Sequence, residues 1–362
     1  MNPARLFAIL AILIFTTAGW WILGATLGYR SSAFGMRSAA AVNGLWGPSL
    51  QQAHPRAQYH DAAGRVTLLP ASSKVSADLR YQPRQRGLLW HRTYEVAFAG
   101  EYAFTNPAQV TQVLKIELPL PGEHIRLEHF QFEISGGASP PIVTNAPQSG
   151  LVTATVEVAP GKTARLLTGY QARGMNEWRY VFPDASRIQN FELAMRTNFA
   201  EIDFPLDTGS PSQDLAESSE GQWTVIWQYP DVIAARGIGM LMPEVLDPGP
   251  IATQIAFWAP LSLAVFFLVL VIAGLLNGVT LHPMNYLLLA AGFFAFPLLF
   301  AYLVDVVNVH LSFILAAAAS MLLVCGYLRL VANGALFNIA LPAQFFYLVL
   351  FSYSFFLKGF TG

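Results

Sequence analysis

The chain has 362 residues, of which 54% are hydrophobic and 12% are charged, well below the roughly 25% charged residues of an ordinary soluble domain. Its formal net charge is −1 and no basic stripe runs along it, so nucleic acid is excluded as an expected partner. The single cysteine, Cys325, excludes an intrachain disulfide framework and a metal cluster built on several thiolates.

The first predicted element is a long apolar run between Arg5 and Tyr29. About 20 apolar residues cover the hydrocarbon core of a bilayer, whereas the apolar core of a cleaved signal peptide has only about 7–15. Trp20 and Trp21 stand near the end of the run, where aromatic residues anchor a helix at the membrane interface. The sequence therefore favours an uncleaved transmembrane anchor at residues 1–29.

Residues 30–250 show the period-two alternation of half-buried β-strands, with turns rich in glycine and proline between the alternating segments. Many short strands of this kind predict an antiparallel, sandwich-like β domain outside the membrane. The clearest predicted strands are TYEVAFAGEYAF (93–104), HIRLEHFQFEI (124–134), VTATVEV (152–158) and QWTVIWQY (222–229).

Four local features of this region are also predicted. Residues 31–55 are a candidate helix leading out of the membrane, and residues 205–221 form a polar loop. Gly100 is a candidate β-bulge inside its strand. The apolar positions of 124–134 change phase near Glu128, which predicts one extra residue there.

Residues 251–362 contain four more apolar runs, and only helices suit them because lipid cannot satisfy an open strand edge. Short connections between the runs predict antiparallel neighbours. Together with the anchor, they predict an α+β membrane protein with a helical transmembrane bundle. The runs are 253–276, 285–304, 310–331 and 335–357.

Charge only weakly specifies the orientation of this bundle. If the β domain lies outside, Arg5 and Arg329 are cytoplasmic, as the positive-inside rule favours. Arg30, Arg37 and Lys358 then lie on the outer side, so the rule barely decides the matter.

Candidate catalytic and metal-binding residues are few. The GKT sequence at 161–163 lacks the first glycine of a phosphate loop and is interpreted as a turn. His124 and His129 lie on opposite faces of a strand unless the predicted bulge intervenes, and His54 and His60 lie in a polar stretch that predicts surface exposure. No cofactor and no metal are therefore expected.

His282 and Pro283 stand between two apolar runs. A proline suits the first turn of a helix, and the residue before it avoids helical geometry. A catalytic or metal-binding role for His282 is the alternative, but the sequence offers it no plausible partner. The pair is predicted to be a membrane turn.

Contact with a partner is predicted to involve tryptophan and arginine side chains of the β domain, because these residue types are enriched at interface hot spots. The alternative is that the tryptophans fill the domain core. The candidates are Trp90, Arg92, Trp178 and Arg179.

The C-terminal third resembles the membrane region of CreD-type bacterial inner-membrane proteins. The likeness rests on LHPMNY (281–286), the small residues Ala316–Ser320, the pair Tyr327-Leu328 and, less extensively, on RQRG…YEV (84–96). That resemblance implies an N-terminal anchor, a periplasmic domain and a role in envelope integrity or stress, and it brings no catalytic residues. The family usually continues into one more span, so a chain ending at Gly362 would be a shortened or truncated member.

We therefore expect a non-enzymatic, multi-pass protein of the bacterial inner membrane that contributes to envelope integrity or the stress response through a periplasmic domain. The expected partners are membrane lipids and an envelope protein of unknown identity. A membrane transporter or lipid-handling protein, with its site in the bundle or at the domain–membrane interface, is the alternative.

Overall fold

The computed structural model describes residues 3–61, 64–86, 89–122, 125–146, 150–183, 186–213, 216–219, 221–234, 236–304, 306–332 and 334–357. The fold is α+β and divides into two compact units. The helical unit comprises Met1–Ser38, Gln85–Trp90 and Leu246–Gly362, and the β unit comprises Ala39–Arg84 and His91–Val245.

The helices have long apolar sequences, and five segments among the described residues are long and apolar enough to cross a membrane, as predicted. These segments are Pro3–Ala33, Pro248–Leu276, Pro283–Leu303, Val309–Val331 and Gly334–Phe356. The helices that contain them are α1 (Pro3–Trp46), α2 (Pro248–Leu276), α3 (Pro283–Leu303), α4 (Val309–Val331) and α5 (Gly334–Gln344). A π-helical segment, Phe345–Leu350, and two short helical turns, Phe351–Tyr353 and Ser354–Phe356, continue α5.

Helix α1 continues past the predicted end of the anchor at residue 29 and ends at Trp46. The predicted helix over 31–55 is therefore present only as far as Trp46, because Gly47 follows with a φ of 88°. A positive φ is the usual way in which glycine ends a helix.

The core of the helical unit is rich in phenylalanine. Phe266 stacks on Phe293 with 5.2 Å between ring centroids, and Phe296 meets Phe313 edge-to-face at 5.1 Å. Helices α3 and α4 approach closely at Gly292, where an added Cβ would lie 2.8 Å from a Val324 methyl group. Small residues allow such close backbone approach between membrane helices.

The described residues form 17 strands, of which all but β5 and β6 lie wholly in the β unit. They are β1 (Leu50–Ala53), β2 (Arg56–Asp61), β3 (Gly64–Leu68), β4 (Ser72–Tyr81), β5 (Arg84–Arg86), β6 (Leu89–His91), β7 (Thr93–Thr105), β8 (Gln112–Pro119), β9 (Glu128–Ser135), β10 (Ile142–Ala146), β11 (Leu151–Val158), β12 (Thr163–Met175), β13 (Glu177–Val181), β14 (Ser186–Thr197), β15 (Ala216–Ser219), β16 (Gln222–Ala234) and β17 (Ile238–Leu241). Two residues of β5 and two of β6 fall in the short segment Gln85–Trp90, which belongs to the helical unit.

The strands form a seven-stranded sheet (β15-β16-β14-β4-β7-β12-β9), a five-stranded sheet (β10-β11-β8-β2-β3), a three-stranded sheet (β1-β13-β17) and the pair β5-β6. The prediction of an antiparallel domain is wrong for two pairs, since β1 runs parallel to β13 and β4 runs parallel to β14. One buried apolar cluster takes residues from all three larger sheets, including Trp227, Ile116 and Trp178.

The local predictions for the strands had different outcomes. One extra residue lies on β9 between Glu128 and Gln131, which confirms the predicted bulge. At Gly100 the register is continuous on both sides, so the bulge predicted there is wrong. Glycine is needed because an added Cβ would lie 2.6 Å from the ring of Tyr102. The loop predicted over 205–221 includes strand β15, which pairs with β16.

Candidate functional site

The exposed face of the seven-stranded sheet forms the floor of a cavity of about 960 Å³, hereafter the sheet-face cavity. Its floor comes from β4, β7 and β12, and the end of α1, Gly44–Trp46, forms part of its wall. Strand alternation explains this placement, because every second residue of these strands points away from the core. The volume lies near the upper end of the range of about 300–1,000 Å³ usual for small-molecule sites.

Charged residues lie in register across the floor. Arg80 on β4, Glu95 on β7 and Arg173 on β12 are successive cross-strand partners. In the adjacent row, Arg196 is opposite Asp78. Opposite charges on facing positions stabilise a sheet surface, and here they also line a cavity.

Three ion pairs fix the acidic groups of the cavity. Arg173 Nε lies 3.0 Å from Glu95 Oε1, and Arg126 Nε lies 3.2 Å from Glu128 Oε1. Arg196 donates two hydrogen bonds to the carboxylate of Asp78, one of them 3.1 Å from Nη2 to Oδ2. Within the described part of the chain, Arg80 has no acidic group within ion-pair distance.

Trp46 stands beside this row as an aromatic wall. The Cζ atoms of Arg84 and Arg173 lie 5.0 and 5.3 Å from the centroid of its ring. Both distances fall within the roughly 6 Å reach of a cation–π interaction. The indole therefore positions two guanidinium groups beside the cavity.

A separate polar network is buried in the core of the β unit. His54 Nδ1 lies 2.7 Å from Tyr180 Oη, which lies 3.0 Å from Tyr102 Oη. Burial lowers the pKa of His54 to about 3 and raises the pKa values of both tyrosines. A histidine held neutral in this way suits structural packing, because its ring is also surrounded by Phe182 and Phe191.

The helical unit contains one buried polar cluster that joins three helices. Ser320 Oγ on α4 donates to the carbonyl of Gly292 on α3 at 2.7 Å. Gln344 on α5 donates to the Ser320 carbonyl at 3.3 Å and accepts a hydrogen bond from Cys325 Sγ at 3.2 Å. Ser320 and Gln344 are fully buried, and the π-helical segment begins directly after Gln344.

The four predicted contact residues have different surroundings. Trp178 is fully buried, so the alternative of a core tryptophan applies to it and it is not available for contact. Arg179 is bound to Glu177 at 3.0 Å and to Asp207 at 3.5 Å. Arg92 is half-buried, and its Nη1 lies 3.5 Å from the Met242 carbonyl oxygen.

The fourth contact residue, Trp90, is half-buried in the helical unit, and its backbone N–H donates to Asp247 Oδ1 at 3.0 Å.

In the predicted membrane turn, Pro283 is the first residue of α3. The Nδ1 atom of His282 accepts a hydrogen bond from the Met284 backbone N–H at 3.3 Å. His282 therefore acts as the N-terminal cap of the helix.

The remaining histidines and the GKT sequence have structural surroundings. The prediction of surface exposure is wrong for His54 and right for His60. Gly161 lies in a turn with a φ of 66°, and β12 follows, in place of the helix that a phosphate loop needs. Among the described residues, no group of three or more His, Cys, Asp or Glu side chains could hold a metal ion. His124 lies outside the described residues, as does Lys358.

The sequence did not single out the sheet-face cavity. Arg80, Glu95 and Arg173 come from three separate segments, and the pairing of β4, β7 and β12 brings this row together. The signal available in the sequence was limited to β7, where Glu95 and Glu101 alternate with apolar residues.

Comparisons with known proteins identify no family for this chain. No family model and no curated protein sequence matches it. Among solved structures it is similar to a candidate nutrient-binding protein from Legionella pneumophila. The similarity has 10% sequence identity and a TM-score of 0.33, and it covers 61% of this chain and 76% of that chain.

Proposed function

We propose that this protein belongs to the bacterial inner membrane and contributes to envelope integrity by binding a partner through its β unit, without catalysing a reaction. In this proposal, the five apolar segments span the membrane. The β unit lies in the periplasm, with its five- and seven-stranded sheets packed as a sandwich. The likeness of 281–286 and 316–328 to CreD-type proteins supports this placement.

The observation that carries the proposal is the sheet-face cavity. A concave surface of this size, lined by charged groups on rigid strands, is suited to recognising another molecule. Its carboxylates at Asp78, Glu95 and Glu128 each have an arginine partner. Carboxylates held in this way fix the shape and charge of a surface, which favours binding over proton transfer.

The alternative is a transporter or a lipid-handling protein whose site lies in the helical unit. The buried cluster of Ser320, Gln344 and Cys325 favours it, because polar groups inside membrane segments often mark pathways. The adjoining π-helical segment, Phe345–Leu350, is of a kind frequently found at functional sites. Against it, the polar groups of the cluster satisfy one another, which also suits simple helix association.

A topology experiment tests the placement. Single cysteines at Ser139 in the β unit and Thr280 in the α2–α3 turn, both exposed, are introduced into a Cys325→Ser background. A membrane-impermeant maleimide added to intact spheroplasts is expected to label position 139 only, and position 280 only after lysis. Labelling of position 280 alone in intact cells would reverse the orientation and refute the periplasmic placement.

A genetic experiment tests the role. A strain lacking the protein is expected to be more sensitive to detergents and wall-active antibiotics, and the wild-type chain is expected to restore tolerance. Alanine scanning of the exposed face of the β unit is expected to map the effect to one contiguous patch. Unchanged tolerance in the deletion strain would refute the proposed role.

A further inference from the structure

The sheet-face cavity carries an excess of positive charge. Among the described residues, four arginines and three acidic residues line it, and each acidic residue pairs with one arginine. These are the pairs Arg173–Glu95, Arg196–Asp78 and Arg126–Glu128. Arg80, exposed on β4, is the arginine of this lining that has no acidic group within ion-pair distance among the described residues. From this balance we propose that the cavity binds an acidic peptide segment, with Arg80 receiving a carboxylate. The proposal rests on the function proposed above, in which the β unit acts by binding.

Arg80 is held in place for this role by its neighbours along the sheet. The backbone of the next residue, Tyr81, makes two hydrogen bonds with the Asn198 side chain. The Tyr81 N–H donates to Asn198 Oδ1 at 2.8 Å, and Asn198 Nδ2 donates to the Tyr81 carbonyl oxygen at 3.2 Å. These bonds fix the end of β4 against β14. The Glu95 carboxylate, which faces Arg80 across the strands, is already bound to Arg173. The Arg80 guanidinium therefore presents its donors to the cavity, and a planar fork of N–H groups matches a carboxylate in two-point geometry.

The aromatic wall adds a surface for the less polar part of such a ligand. Trp46 is half-buried and holds Arg84 and Arg173 over its ring. Arg84 also has no acidic partner within ion-pair distance in the described part of the chain. It therefore adds positive charge beside the Trp46 ring. The exposed Ala97 in the floor leaves room above the sheet for a side chain of the ligand.

The mixed lining favours a peptide over a compact polyanion. Three carboxylates in the wall repel a dense cluster of phosphate charge, but their remaining lone pairs accept hydrogen bonds from amide N–H groups. A peptide offers N–H donors and carboxylates at separate points along its length. The cavity, at about 960 Å³, is also much larger than a single inorganic oxyanion needs.

Binding is measured with the full-length protein in a non-ionic detergent by fluorescence anisotropy. The probe is a fluorescein-labelled hexapeptide of alternating alanine and glutamate, and its glutamine counterpart serves as the neutral comparison. Arg80→Gln is expected to weaken binding of the acidic peptide by about tenfold, because about 1.4 kcal/mol is within the worth of one charge-assisted contact. Arg65→Gln, on the exposed face of β3, is the matched control and is expected to leave the affinity unchanged.

A second variant tests the cavity by changing its volume and not its charge. Ala97→Trp fills the floor without removing an ion pair and is expected to abolish peptide binding while thermal melting stays close to that of the wild type. The proposal is overturned if the wild-type protein binds neither peptide, or if it binds both equally. Equal binding by Arg80→Gln and Arg65→Gln overturns it, and so does competition by inorganic phosphate at the same concentration as the unlabelled acidic peptide. None of these outcomes alters the detergent-tolerance result, so failure of the ligand assignment is distinguishable from failure of the proposed role.

Discussion

The buried His54 makes the stability of the β unit depend on pH. Its pKa is about 3 in the folded protein and 6.5 in the unfolded chain. Below pH 6.5 His54 is therefore protonated in the unfolded chain but stays neutral in the folded protein, and this proton uptake favours unfolding. At neutral pH both states hold a neutral ring, so the contribution of His54 to stability is fully present above pH 6.5. It is lost progressively as the pH falls towards 3.

The loss of stability depends on how far the pH lies below the pKa of His54 in the unfolded chain. Between pH 7.5 and pH 5.0 the free energy of unfolding is expected to fall by about 2 kcal/mol, at about 1.4 kcal/mol for each pH unit below 6.5. In a unit of about 200 residues this corresponds to a decrease in Tm of about 4–8 °C. The ring is enclosed by Tyr102, Tyr180, Phe182 and Phe191, none of which offers a negative charge to stabilise the proton.

Thermal melting of the full-length protein in detergent, followed by near-ultraviolet circular dichroism at pH 7.5 and 5.0, measures this decrease. His54→Gln is expected to be less stable at pH 7.5, because its fit to the Tyr180 hydroxyl is poorer, but to lose about 2 kcal/mol less between the two pH values. His60→Gln, at an exposed position of β2, is the control and should keep the wild-type dependence. An identical decrease in Tm for the wild type and His54→Gln would refute the reasoning.

Three further predictions concern packing and capping. Gly100→Ala is expected to cost about 1–3 kcal/mol of stability in thermal melting, since its Cβ would collide with the buried ring of Tyr102; Gly44→Ala, with open space around it, is the control, and an equal effect would contradict the contact. His282→Ala is expected to destabilise α3 by about 1 kcal/mol and His282→Asn by much less, because asparagine also caps helices; equal losses in detergent unfolding would show that the cap does not matter. Gln344→Leu keeps the volume of a fully buried side chain and is expected to cost only about 0.6 kcal/mol for the lost interhelical hydrogen bonds; a stable variant that fails to restore detergent tolerance would favour the transport alternative over helix association.

Structural features that depend on residues close together in the chain could be predicted from the sequence. The five apolar segments depend only on length and composition, and the bulge of β9 showed itself as a change of phase around Glu128. Gly100 shows the limit of such local reasoning. A glycine inside an alternating strand is compatible with a β-bulge and also with close packing of an aromatic ring against the backbone. The conformation of Tyr102, two residues along the same face, decides between them.

Structural features that depend on contacts between distant segments of the chain could not be predicted from the sequence. The parallel pairing of β4 with β14 joins Asp78 to Arg196 across 118 residues of sequence. The cavity needs that pairing as well as the turn at Gly47 that ends α1 near Arg173. No window of sequence contains these elements together, so no local pattern could predict the site.

The segment around His54 shows why polarity alone misjudges burial in a tyrosine-rich β unit. The sequence predicts surface exposure for His54, yet Gln52 and His54 are only 1% and 3% exposed. Each is bound by a tyrosine from a distant strand, with Tyr170 Oη donating to Gln52 Oε1 at 2.9 Å and Tyr180 Oη lying 2.7 Å from His54 Nδ1. A tyrosine hydroxyl brings a hydrogen-bond partner into an otherwise apolar core, which removes most of the cost of burying a polar side chain. The polar residues of this segment are therefore core residues because of tyrosines more than 100 positions away.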